Sequence, residues 1–112
     1  MPVVRNRNHA MAYVTVPDRR VARRIARAVL GQRLAACANL APIESLYRWK
    51  GAIEEAREVL VIFKTRRDLV PRLMAAVRIA HPYEVPCVVT YAVDAGLPEY
   101  LAWIDRETAR QR

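Results

Sequence analysis

Three observations predict an α+β domain made of a β-α-β-β-α-β series with one further helix. Four short stretches carry the alternating or continuous apolar pattern of strands. Two stretches between them repeat their apolar residues at helical spacing. The two longest strand-like stretches are joined by Lys50-Gly51, with glycine at the turn position that takes a positive φ without strain.

Each element has its own signal. Ala10 to Val16 is the first strand, ending at Pro17-Asp18, where Asp18 suits a helix N-cap. Asp18 to Arg33 is a helix with Val21, Ile25, Ala28 and Val29 on one face and Arg19, Arg20, Arg23, Arg24 and Arg27 opposite. Gly31 stands where it can finish. Ala36 to Trp49 and Ala52 to Thr65 form a long hairpin whose register sets Glu44 against Arg57 and Tyr47 against Glu54. Pro42 cannot donate to a ladder, so its strand belongs at an edge or carries a bulge. Val59 to Phe63 is continuously apolar, as in a strand buried on both faces. Asp68 to Ala80 is a second helix, with Pro71 tolerated in its first turn. His81 to Pro86 is held extended by Pro82 and Pro86. Cys87 to Val93 is the fourth strand and Pro98 to Arg110 the last helix.

This order gives a ferredoxin-like sandwich, an antiparallel sheet in strand order 4-1-3-2 with two helices on one face. Residues 1–9 read as a flexible basic tail and 10–112 as a single domain. The hairpin arms are about twice the usual strand length and leave long edges, which predicts pairing with further copies in a closed oligomer.

Composition narrows the function classes. Hydrophobic residues make up 54% of the 112, enough for a core and too many for a disordered chain. The net charge of +8 is concentrated in residues 1–33, which hold eight arginines and one acid. Those arginines occupy one helix face and the tail, with no aromatic residue interleaved for base stacking, so a specific nucleic-acid partner is not expected. No apolar run approaches the roughly 18 residues of a membrane span, so a membrane partner is not expected either. Cys37 and Cys87 form no CxxC pair, and a reducing, cytoplasmic location is expected. Catalysis finds no support. Two histidines and three glycines supply neither a Ser/His/Asp set nor a phosphate loop.

Two constellations remain. His81, Cys87 and Cys37, with Glu84 near them, have the ligand chemistry for copper(I) or zinc. Their separation along extended chain means that such a site would draw ligands from neighbouring subunits. Trp49, Glu58, Lys64, Tyr83, Glu84 and Trp103 are polar or amphipathic residues in otherwise apolar elements, suited to a small-molecule cleft between subunits. An ion pair of Lys64 with Glu58 or Glu84 is the plainer structural reading of that lysine.

Six segments occur together in order: Thr15-Val-Pro-Asp18, Leu34-Ala-Ala-Cys-Ala-Asn39, Ser45-Leu-Tyr-Arg-Trp-Lys-Gly51, Phe63-Lys-Thr65, His81-Pro-Tyr-Glu-Val-Pro86 and Tyr100-Leu-Ala-Trp103. Over residues 10 to about 110 the sequence resembles the CutA, or divalent-cation tolerance, family. The resemblance implies a ferredoxin-like subunit in a homotrimer similar to the PII signalling proteins. It also implies a non-enzymatic link to tolerance of copper or another divalent cation. Members with a proposed copper site carry Cys at the position of Val14 and Glu at that of Cys87, and this chain keeps His81 of that set.

Overall fold

The pairing of alternating apolar residues across four strands organises the subunit. The computed structural model describes residues 4–109, with side chains from residue 6 onward. In chain order the elements are β1 (Val4–Arg5), β2 (His9–Val16), α1 (Arg19–Gly31), β3 (Cys37–Trp49), β4 (Ala52–Arg66), α2 (Val70–Ala80), β5 (Cys87–Ala92), β6 (Ala95–Gly96) and α3 (Pro98–Glu107). A single 3₁₀ turn, Arg67–Leu69, leads into α2. The sheet runs β3-β4-β2-β5, antiparallel throughout, in the spatial order the sequence predicts. Among the described residues no helix is long and apolar enough to cross a membrane.

On β2, Ala12, Val14 and Val16 are fully buried, and on β4 so are Val61, Phe63 and Thr65. These face α1 and α2, whose Ala22, Ile25, Val29, Leu73 and Val77 complete the core. Asp18 caps α1 by accepting from the Val21 amide at 2.8 Å. The apolar stripe of α1 is turned slightly from the predicted one, with Ala22 and Ala26 buried where Ala28 is exposed. All five arginines of that helix are exposed, and Arg24 donates from its guanidinium to Ala80 O at the end of α2, at 3.1 Å. Gly31 does not supply the helix stop. Arg33 takes the left-handed conformation at φ 57°, with Arg33 N–H on Leu30 O and Leu34 N–H on Val29 O, a Schellman closure built on a non-glycine residue.

The hairpin has the predicted register: Glu44 opposes Arg57 and Tyr47 opposes Glu54. Lys50 and Gly51 both have positive φ, 49° and 85°, as a type I′ turn requires. Pro42 lies on β3, an edge strand. The far half of the hairpin overhangs the sheet, leaving Leu46 67% and Ile53 66% exposed.

Two further expectations change. Val59 to Phe63 is buried on one face within the subunit, because both core helices pack on the same side of the sheet. The other face presents Tyr13, Leu60 and Ile62 half-covered, with Val89 and Tyr91 exposed. The segment before Ala10 is not a loose tail over its described part. Val4 and Arg5 pair with Gly96 and Ala95, and Asn6 donates its amide to Asp94 O and its side chain to Val93 O. His9 belongs to β2 and is buried, its ring held between Asn6 Oδ1 at 2.9 Å and Asp105 Oδ1 of α3 at 2.8 Å. Residues 1–3 of the expected tail lie outside the described residues, as does the end of the predicted last helix at Arg110.

Candidate functional site

Strict alternation on β2 sends Tyr13 and Thr15 to the face opposite Ala12, Val14 and Val16. Their β4 neighbours on that open face are Ile62 and Leu60, and Glu58 follows two residues further along. On β3 the same face carries Ser45, Tyr47 and Trp49, opposite Ala56, Glu54 and Ala52. The extended segment 81–86 folds over the end of β2, bringing Tyr83, Glu84 and Val85 to these strands. Together they enclose a cleft of about 630 Å³, with Glu44, Leu46 and Cys87 at its margins.

The floor of the cleft is a carboxylate–phenol pair. Glu58 is 8% exposed, and its Oε2 accepts a hydrogen bond from the Tyr83 hydroxyl at 2.8 Å. Burial, and then the bond to Glu58, push the Tyr83 phenol well above its ordinary value of 10.0. Behind this pair stands His81. Its Nδ1 accepts from the Tyr83 amide at 3.1 Å, so its hydrogen lies on Nε2, which donates to Thr15 O at 2.7 Å. The His81 and Tyr83 rings pack at 4.7 Å. His81 is therefore a brace that fixes where Tyr83 stands. Chemically the arrangement can hold a ligand group by its charge and its flat faces.

A model of the family described as CutA1 divalent ion tolerance protein matches residues 10–107. The chain belongs to the CutA1 family. It is 53% identical over 98 residues to protein CutA of Mus musculus, covering 87% of this chain and 55% of that protein. It is 43% identical over 96 residues to the divalent-cation tolerance protein CutA of Thermus thermophilus, covering 85% and 93%. The chain thus spans about half the length of the mouse and human relatives and most of the Thermus one. Among solved structures, the periplasmic divalent cation tolerance protein CutA of Archaeoglobus fulgidus superposes with a TM-score of 0.89 at 39% identity, covering 90% of this chain and 99% of that one. CutA of Synechococcus elongatus superposes with a TM-score of 0.92 at 28% identity, covering 96% of each chain.

The CutA1 fold sorts the candidate residues into two places. Trp49, Glu58, Tyr83 and Glu84 meet in the cleft. Lys64 and Trp103 do not. Lys64 lies six residues beyond Glu58 on β4, and its ammonium sits 5.6 Å from the Tyr100 ring centroid, which itself packs at 5.6 Å on Trp103. Within the subunit Lys64 is thus a support for α3 and pairs with neither Glu58 nor Glu84.

The metal candidates are also dispersed within one subunit. Cys37 opposes Lys64 on β4, whereas Cys87 opposes Thr15 and, through it, Leu60. Four residues along and three strands across place the thiols ~20 Å apart. Both ring nitrogens of His81 are spent on the backbone. Among the described residues no three His, Cys, Asp or Glu side chains converge on a common point. Tyr13, Thr15, Glu44, Ser45, Leu46, Tyr47 and Val85 also line the cleft and are not among the residues the sequence points to. The i, i+2 spacing of Tyr13 with Thr15 and of Tyr47 with Trp49 was the available signal.

Proposed function

We propose that this CutA1-family protein acts as a non-enzymatic homotrimer in divalent-cation tolerance, and that its working site is the Glu58–Tyr83 cleft. The observation that carries the reading is the buried Glu58 carboxylate, held in place by Tyr83 and ringed by aromatic side chains. The half-covered apolar face around Leu60 and Ile62 supports closure by further copies. The names of the Thermus and Archaeoglobus relatives support the link to divalent cations. A non-enzymatic role is supported by the two histidines, whose ring nitrogens are all engaged in positioning other groups. The free thiols of Cys37 and Cys87 favour a reducing, cytoplasmic setting.

A metal centre built from His81, Cys87 and Cys37 is the second reading, and it requires ligands drawn from several copies. Two experiments on untagged protein separate the readings. Thermal unfolding in mixtures of small metabolites should show a rise in melting temperature of several degrees that disappears in Glu58→Gln. Equilibrium dialysis against zinc or copper(I) should show no binding that His81→Ala or Cys87→Ala abolishes. Stoichiometric metal lost in both of those variants, with no Glu58-dependent thermal shift, would replace the cleft with the metal centre.

A further inference from the structure

We infer that His9 holds the segment between β1 and β2 through a second ring proton, a latch that lets go as pH rises. The inference is independent of the cleft, since every bond of this ring is made within one chain, at the end of the sheet that α3 covers. His9 is 4% exposed. Its Nδ1 stands 2.9 Å from Asn6 Oδ1, and its Nε2 stands 2.8 Å from Asp105 Oδ1 on α3. Two further bonds orient the Asn6 amide: Nδ2 donates to Val93 O at 2.9 Å, and Oδ1 accepts from the Asn8 amide at 3.1 Å. The atom facing Nδ1 is therefore an oxygen, and a carboxylate oxygen faces Nε2. Two acceptors require two N–H donors, which only the imidazolium supplies. His81 has the other arrangement. Its Nδ1 accepts from the Tyr83 amide while its Nε2 donates to Thr15 O, so one ring proton serves it.

The two joints of the ring are unequal. A hydrogen bond to a carboxylate is stronger than one to an amide, so a neutral His9 keeps its remaining proton on Nε2, toward Asp105. Its Nδ1 lone pair then faces Asn6 Oδ1, and that joint opens. Asn6 is the residue that ties this segment to the β5–β6 turn, through its own amide to Asp94 O and its side chain to Val93 O. Further charges lie on the elements around the ring. Arg66 opposes His9 on β4 and spends its guanidinium on Asp68 and Thr108. Arg7 and Arg67 line a groove with Asp105, and Asp94 lies between β5 and β6. Among the described residues Asp105 is the charged group bonded to the ring. The latch is thus closed where His9 is charged and opens as pH rises through the range in which histidines titrate, ordinarily about pH 6.5.

The test follows two observables on the intact protein from about pH 5 to about pH 9. One is the ring nitrogen chemical shifts of His9. The other is hydrogen exchange at the Asn6 and Asn8 amides, corrected for the intrinsic pH dependence of exchange. We expect the two-proton ring at the acid end. Loss of the second proton and an acceleration of about fivefold at the two amides should share one midpoint, the size expected for one hydrogen bond, while the amides of β4 show no step. In Asp105→Asn the step should vanish, because the new amide can turn an N–H to a neutral Nε2 and leave the Nδ1 proton for Asn6. Glu99→Gln, at the other end of α3, should keep it. Should Asp105→Asn fail to fold, the shared midpoint in the wild-type protein decides. A one-proton ring at His9 throughout the range would overturn the inference. So would exchange that runs level while His9 loses its proton, or a step that persists in Asp105→Asn.

Discussion

Tyr83 shows how one residue links sequence to site. Pro82 and Pro86 hold its segment extended, His81 takes its amide, and its hydroxyl reaches the buried carboxylate of Glu58. Burial keeps the phenol neutral well past the pH at which an exposed tyrosine ionises. Because its folded value lies above the unfolded one, the stability it contributes is complete below pH about 10 and is lost as pH climbs through the raised range. In a tyrosinate absorbance titration, Tyr83 should therefore be the last of the five tyrosines to ionise, and Tyr83→Phe should remove that late step. Simultaneous ionisation of all five would contradict the buried pair. Other residues were harder to read. Lys64, between Phe63 and Thr65, looked like a partner for Glu58, yet six residues of strand separate them and only the packing of α3 shows that Tyr100 takes it. Arg33 adopts a conformation that favours glycine, and nothing in its side chain announces it.

At the scale of elements, what carries a periodic or turn signal was legible. The hairpin register followed from Lys50-Gly51, the edge position of β3 from Pro42, and α1 from its arginine-free stripe. The two-residue strands β1 and β6 were not, since pairing of that length rests on backbone bonds and leaves no pattern. Nor was the clasp that joins them to α3, where His9 meets Asp105 across 96 residues of sequence. Asp105 is 54% exposed, so the clasp is worth about 1 kcal/mol, or roughly fivefold in local opening. Asp105→Ala should accelerate amide exchange by about that factor in α3 and β6, leaving β2 and β4 protected. Equal acceleration throughout the sheet would show that α3 is part of the core rather than a separately opening unit.

For the whole molecule the decisive feature is the uncovered sheet face. Its apolar character was visible in the continuous run Val59 to Phe63, which reads as a strand buried on both sides. One subunit covers a single side, because α1 and α2 share it and α3 reaches only the end near Lys64. The charge of +8 has a different distribution from the one that nucleic-acid binding would need. The α1 arginines are exposed on the helix side, while the charged residues of the cleft on the opposite face are Glu44, Glu58 and Glu84. Covering the open face with further copies would bury Leu60, Ile62, Val89 and Tyr91 and bring neighbouring hairpins alongside the cleft. Burial of that kind is apolar and insensitive to screening by salt. Light scattering in 1 M salt tests it most directly. A homotrimer appears there as a particle of three times the 12.8 kDa chain mass, unchanged on dilution to the micromolar range. A monomer of 12.8 kDa under those conditions would contradict it.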